Sequence, residues 1–128
     1  MEPLFVTFEH VLRAHDESLR RYGGSSGVRD HRLLRSAVDQ PLNDFRYGGA
    51  DLFAIAAAYA YHIGQAQAFF DGNKRTGISI ALIFLEQNGV ATIGNVPRLY
   101  DAMIAIAERR MDKAGLAALF RELFTQDG

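Results

Sequence analysis

The chain has 128 residues, of which 48% are hydrophobic and 23% charged, so it is long enough to bury the core of one soluble domain. Its formal net charge of -1 excludes a broad electrostatic grip on nucleic acid, and its lack of cysteine excludes disulfides, thiolate metal sites and a thiol nucleophile. We find no signal-peptide pattern and no apolar run near the ~20 residues of a membrane span. We therefore expect a cytoplasmic protein with neither membrane nor nucleic acid as a partner.

Two amphipathic helices are predicted in the N-terminal part of the chain. Thr7 can cap a helix that runs to about Tyr22, where a pair of glycines ends it. Asp30 can cap a second, short helix, which Pro41 should end because proline removes a helical hydrogen bond. Residues 41–49 then read as an irregular loop.

Two further segments are apolar on nearly every side, which is typical of helices in the middle of a bundle. The first begins at Asp51 and is interrupted by the segment Phe69–Arg75, and the second spans about Thr76–Gln87. Two amphipathic helices follow, one with Pro97 in its first turn and one capped by Asp112. The pattern predicts an all-α, compact bundle of about six helices with two of them central.

A polar loop separates the two apolar helices. It gathers a carboxylate, an amide, two cations and a hydroxyl, on the residues Asp71, Gly72, Asn73, Lys74, Arg75 and Thr76. Gly72 lets the backbone turn so that successive N–H groups can point inward. A helix that starts here has unpaired N–H groups and a positive dipole end, and Lys74 and Arg75 can add charge-assisted bonds to phosphate. Beside a phosphate, Asp71 would suit Mg²⁺.

The same loop also has a purely structural interpretation. Asp-Gly-Asn is an ordinary turn sequence, and Asn and Thr are ordinary helix caps. The residue types alone leave the two interpretations open. The position of the loop between the two most apolar helices raises the phosphate-binding interpretation to equal standing.

The segment around the loop resembles the signature of the Fic/Doc family, which runs His-x-Phe-x-Asp/Glu-Gly/Ala-Asn-Gly/Lys-Arg. Phe69 and the five residues from Asp71 to Arg75 fall on matching positions, and Lys74, where many members have Gly, is similar to the Doc branch. Strings elsewhere are similar to the family's spacing as well: Tyr22-Gly23-Gly24, Gly27-Val28-Arg29-Asp30, Leu33-Leu34-x-Ser36-Ala37-Val38-x-x-Pro41 and Phe84-Leu85-x-x-Asn88-Gly89. The resemblance implies one Fic/Doc-like domain over residues 1–128, with the active loop between the two central helices.

The resemblance also implies a reaction, in which a phosphate-bearing group of ATP or another nucleoside triphosphate, held with Mg²⁺, moves to a protein hydroxyl. Fic enzymes typically transfer AMP. The Doc branch consists of toxins that are restrained by an antitoxin protein and that phosphorylate the translation factor elongation factor Tu. We find no self-inhibitory Ser/Thr-x-x-x-Glu-Gly/Asn string, so inhibition is expected from an antitoxin in trans, as a short helix near the loop.

Roles carry over residue by residue from the family's motif. Asp71 would hold Mg²⁺, the backbone from Gly72 through Asn73 to Thr76 would form an anion hole, and Lys74 and Arg75 would grip phosphates. Phe69 would only anchor the loop in the core. The segment around Arg29–Phe45 would form a flap against which the target chain lies.

One position departs from the family's pattern, because the general-base His falls at Gln67. A glutamine amide can accept a hydrogen bond but cannot keep a proton, and loss of a general base typically costs about 10²–10⁴-fold in rate. Asp71 could replace that base only by giving up the metal. His62 lies about 140° round a helix from Gln67, so a packing role is expected for it. His10 and His15 are expected to lie on the surface or on a helix face.

Gln67 leaves several hypotheses open. It is either natural in a degenerate member of the family or a change that disarms a toxic enzyme, since His and Gln codons differ by one base. The chain is accordingly a Doc-like kinase, an AMP transferase of the Fic type, a non-catalytic nucleotide- or protein-binding module, or a purely structural bundle. The last must explain a polar loop inside an apolar bundle.

Overall fold

The computed structural model describes residues 2–92 and 96–124. Over these residues it contains six α-helices and no strand, which confirms the predicted all-α class. The helices are α1 (Phe8–Tyr22), α2 (His31–Gly48), α3 (Leu52–Ala66), α4 (Asn73–Gln87), α5 (Val96–Ala107) and α6 (Lys113–Phe124). No helix within the described ranges combines the length and the apolar character of a membrane span.

Four of the helices begin where the sequence predicts them to begin. Thr7, Asp30, Asp51 and Asp112 each accept, through a side-chain oxygen, a hydrogen bond from the N–H three residues further along. Such a bond satisfies one of the donors that a helix start leaves unpaired. Local side-chain chemistry therefore sets the starts of α1, α2, α3 and α6.

The predicted loop over Pro41–Gly49 is wrong, because α2 continues through Pro41 for almost two further turns. A proline inside a helix costs about 3 kcal/mol, so other contacts must hold the second half. Pro41 itself is buried, and Phe45 packs against the core. The carboxylate of Asp44 accepts a hydrogen bond from Nζ of Lys113 on α6 at 2.8 Å. Tertiary packing outweighs the proline here.

The two central helices approach each other closely. α3 packs against α2, α4, α5 and α6, while α4 also contacts α1 and α5. Gly77 makes this possible, since a Cβ at this position would lie 2.8 Å from the carbonyl oxygen of Ala60. The polar loop joins the facing ends of this tightly packed pair, so the core fixes where the loop stands.

His62 lies in a polar cluster between α2, α3 and α6. Its Nε2 is 3.1 Å from Nζ of Lys113, which also bonds Asp44. Burial lowers the pKa of His62 to about 4, and the neighbouring Lys113 charge acts in the same direction. His62 is thus a neutral packing group, as the sequence predicts, and its ring nitrogen faces Lys113 of α6.

We expect the folded state to weaken as the pH falls from about 7 to 4, because the unfolded chain takes up a proton on His62 near its ordinary pKa of 6.5 while the folded chain resists it until about 4. Above pH 7 both states are neutral at this residue and the effect vanishes. Since His62 is partly exposed, the loss should be about 1–2 kcal/mol, well below that of a fully buried group.

Urea unfolding at pH 7 and pH 4.5 measures this effect. His62→Gln should flatten the slope between the two pH values, and His31→Gln, at the exposed start of α2, should leave it as it is. An equal slope in all three proteins would contradict the assignment to His62.

Candidate active site

The loop between α3 and α4 forms one wall of a small cavity of about 260 Å³. Gln67 ends α3 in the left-handed conformation (φ 52°), and Gly72 precedes α4 in the same region (φ 79°). The cavity is lined by Gln67, Phe70, Asp71, Gly72, Asn73, Lys74, Arg75 and Tyr100. Six of the seven site residues predicted from the sequence therefore come together.

The start of α4 presents open backbone donors. Gly72 has no side chain to cap the helix, and the first helical bond runs from the Thr76 N–H to the Gly72 carbonyl at 2.9 Å. Within the described part of the chain, the N–H groups of Asn73, Lys74 and Arg75 have no acceptor. Unpaired donors at the positive end of a 15-residue helix are a suitable cradle for an anion.

The side chains of two predicted binding residues, Asn73 and Thr76, are buried. The buried side chain of Asn73 accepts from the Phe69 N–H and donates to the Phe69 carbonyl, both at 3.0 Å, so only its backbone N–H remains for a ligand. Thr76 differs from the prediction. Its side chain is fully buried and does not line the cavity, and its N–H already donates to the Gly72 carbonyl. Thr76 therefore offers a ligand neither group.

The two cations of the loop occupy different positions. Lys74 is half-buried in the cavity wall, and Arg75 is exposed at its mouth. The Arg75 guanidinium carbon lies 4.5 Å from the ring centre of Tyr22 and 5.7 Å from that of Tyr100. No ion pair in residues 2–92 and 96–124 involves either cation. Both charges remain available, and aromatic contacts hold Arg75 beside the loop.

Asp71 is held from outside the loop at two points. Its carboxylate Oδ2 accepts from the Ser25 N–H at 2.7 Å, and its carbonyl oxygen lies 2.7 Å from Nε2 of His15. The described residues contain no group of three His, Cys, Asp or Glu side chains able to hold a metal. One carboxylate with phosphate oxygens and waters is, however, how proteins commonly bind Mg²⁺, so Asp71 fits that ion together with a polyphosphate.

Gln67 contributes its side chain to α3 and its carbonyl to a neighbouring segment. The side-chain Nε2 donates to the Gly64 carbonyl at 3.1 Å, and the Gln67 carbonyl accepts from the Arg29 guanidinium, with 3.0 Å to Nε. The backbone of position 67 is thereby fixed at the edge of the cavity. Its side chain brings an amide and no basic nitrogen to that edge.

The predicted flap over Arg29–Phe45 is largely helix, because α2 begins at His31. The part that lies along the loop is shorter than the predicted flap and consists of residues 28–30. The N–H groups of Arg29 and Asp30 donate to the Ala68 carbonyl at 2.7 and 3.1 Å, beside an isolated bridge between Val28 and Phe69.

His15 was not among the predicted site residues. It is only 2% exposed, and its ring stacks on Phe69 at 3.7 Å with 8° between the planes. The signal available in the sequence was its helical spacing of four from Val11, which is also buried. Tyr22, Ser25 and Tyr100 were missed as well, since they reach the loop from distant parts of the chain.

A family model described as "Fic/DOC family" matches residues 5–85, which contain α1 to α3, the whole loop and most of α4. The chain belongs to the Fic/DOC family. It is 30% identical over 120 residues to "Protein kinase doc" of Escherichia phage P1, covering 93% of this chain and 94% of that protein. It is 38% identical over 103 residues to "Toxin Doc" of Mycolicibacterium smegmatis, covering 76% of this chain and 78% of that protein.

This membership confirms the resemblance of the loop to the Fic/Doc signature, and both relatives carry the Doc name. In this Fic/DOC chain the signature spans the end of α3, the loop and the start of α4. The segment that resembles the signature therefore coincides with the cavity and its open N–H donors.

Proposed function

We propose that this chain is a Doc-type toxin that binds ATP, or another nucleoside triphosphate, with Mg²⁺ at the loop and transfers its γ-phosphate to a hydroxyl of a translation factor such as elongation factor Tu. The observation that carries the proposal is the convergence, on one cavity, of three unpaired N–H groups with Lys74 and Arg75. We further propose that Gln67 slows this transfer strongly or abolishes it.

The chemistry assigned to each group follows from its position. The N–H groups of Asn73, Lys74 and Arg75 would bind phosphate oxygens, and the Lys74 ammonium would add charge to the same contact. Bound ATP–Mg²⁺ supplies the phosphoryl group. The hydroxyl oxygen bonds to the γ-phosphorus as the bond to the ADP oxygen breaks, and the hydroxyl proton must leave to a base. The Gln67 amide can orient the hydroxyl but cannot take that proton.

The kinase form is favoured over AMP transfer by two observations. Lys74 occupies the position at which many family members have glycine, and the phage relative is named a protein kinase. AMP transfer would instead place the α-phosphate against the same N–H groups. A non-catalytic nucleotide-binding module is the second candidate function, since Gln67 removes a proton acceptor while leaving the cradle intact.

We expect Lys74→Ala to weaken ATP–Mg²⁺ binding about 10–100-fold, because a hydrogen bond to a charged group contributes about 1.5–3 kcal/mol. Isothermal titration calorimetry of ATP with Mg²⁺ measures it. Arg46→Ala, which removes one positive charge from an exposed site on α2, should bind like the parent chain. Equal weakening by both variants would attribute the effect to net charge, and an absence of binding by the parent would overturn the proposed function.

An antitoxin in trans is the proposed regulator, and the surface beside the loop supports it. A groove of about 610 Å³ runs between α1, α4 and α5 and shares Arg75 and Tyr100 with the cavity. Its apolar members include Leu82, Ile83 and Val96, the last two at 37% and 49% exposure. A short amphipathic helix suits such a groove.

Copurification tests this partner. A small, separately encoded protein should copurify with the parent chain and be lost from Ile83→Glu, which places a charge in the groove and leaves the loop unchanged. Retention of that partner by Ile83→Glu would argue against the groove.

A further inference from the structure

His15, on α1, contacts the loop both by stacking and by a hydrogen bond. Its ring is stacked on Phe69, and a Cβ on Gly72 would lie 3.5–3.6 Å from the ring. Nε2 is 2.7 Å from the carbonyl oxygen of Asp71. Because a carbonyl oxygen can only accept, Nε2 must carry the hydrogen and donate it. The imidazole therefore lies against three residues of the loop, which are Phe69, Asp71 and Gly72.

The start of α4 explains why such a contact is needed. α1, α2, α3 and α6 each begin with a side-chain oxygen that binds an N–H of the first turn. The same device at α4 would occupy the Arg75 N–H, one of the donors that the cavity presents. A hydrogen bond to the Asp71 carbonyl restrains the turn through a backbone acceptor, so it leaves the first N–H groups of α4 free for a ligand.

We infer that His15 is a positioning residue, which holds the turn at Asp71 and Gly72 and so keeps the α4 N–H groups and the Asp71 carboxylate aimed at a bound polyphosphate. This inference rests on the proposed function for its ligand, although the restraint itself exists in the free protein. The Ser25 N–H restrains the same residue through its side-chain carboxylate.

Two variants separate the hydrogen bond from the packing. His15→Phe keeps an aromatic ring for the stack on Phe69 but has no donor. His15→Gln loses the ring but carries its amide nitrogen as many bonds from Cα as Nε2 of histidine. A merely structural histidine would be replaced better by Phe, whereas a positioning histidine would be replaced better by Gln.

The experiment compares both variants with the parent chain by thermal unfolding, by calorimetry with ATP–Mg²⁺, and by the amide NMR shifts of residues 71–75 in the free protein. We expect Kd to rise about tenfold in His15→Phe, the loss of one hydrogen bond, and to stay within about threefold in His15→Gln. The amide shifts should move in His15→Phe, which keeps the ring and loses only the donor, although its melting temperature should be the higher of the two.

A Kd that follows the melting temperature across the three proteins would overturn the inference, as would His15→Phe binding like the parent. If the parent itself binds no ATP–Mg²⁺, the proposed function fails. The amide shifts of the free protein then still test whether His15 holds the turn at Asp71 and Gly72. Unmoved shifts in His15→Phe would then reject the positioning role.

Discussion

Gln67→His should raise transfer of label from γ-labelled ATP to the protein target by about 10²–10⁴-fold, the typical contribution of a general base. The physical reason is that the rest of the site is present: the open N–H donors, the two cations and Asp71 already surround one cavity. Imidazole at this edge would accept the hydroxyl proton that an amide cannot keep. Expression of the variant should arrest growth, and label transfer in vitro measures the rate directly.

Matched controls make this result specific. Gln67→Asn should remain inactive because it alters the side chain without adding a base, and Gln67→His combined with Lys74→Ala should lose most of the gain. Transfer of α-label in place of γ-label would support AMP transfer. If Gln67→His binds ATP–Mg²⁺ as well as the parent and neither transfers label, the chain is a binding module.

Gly77→Ala should lower the free energy of unfolding by about 2 kcal/mol, the middle of the range for an overpacked core. The new Cβ would lie 2.8 Å from the Ala60 carbonyl oxygen and 3.3 Å from its Cα, which are backbone atoms that cannot turn aside. α3 and α4 would have to separate, and the loop between them would shift with them. Urea unfolding measures the loss, and weaker ATP–Mg²⁺ binding should accompany it.

Gly64→Ala provides the control within the same helix pair. Its Cβ would meet only the terminal Cε of Met103, at 2.5 Å, and a methionine side chain can move away. Alanine also gains about 1 kcal/mol of helix propensity over glycine, so this variant should be close to neutral. Equal destabilisation by both substitutions would show that the α3–α4 approach is not governed by Gly77.

The fold followed from the sequence wherever local chemistry decided it. Caps at Thr7, Asp30, Asp51 and Asp112 and the all-round apolar character of α3 and α4 predicted the order and the centre of the bundle. The prediction that Pro41 ends a helix was wrong. The cost of an internal proline is local, whereas the contacts that offset it, such as the one between Asp44 and Lys113, join residues far apart in the chain.

In the candidate site, too, residues close together in the sequence were predictable, whereas contacts between distant segments were not. Residues contiguous in the signature, from Gln67 to Arg75, could be found from their order in the sequence and its resemblance to the family, and seven of them line one cavity. The residues that support the loop could not be found in this way, since His15, Ser25 and Tyr100 reach it only through the packing of other segments. Asn73 and Thr76 also show that a motif can predict which residues form a loop, whereas burial in the folded protein decides which of their atoms can reach a ligand.

The hold that Arg29 has on the Gln67 carbonyl bears on how this locus can evolve. The guanidinium binds the main chain, which is the same for every amino acid, so this restraint on the bend at position 67 does not require a glutamine side chain. A lineage could therefore exchange glutamine and histidine by one nucleotide without dismantling the scaffold. A loss of activity caused by a substitution at this codon would be reversible by one further substitution, unlike a loss caused by a mutation that unfolds the protein.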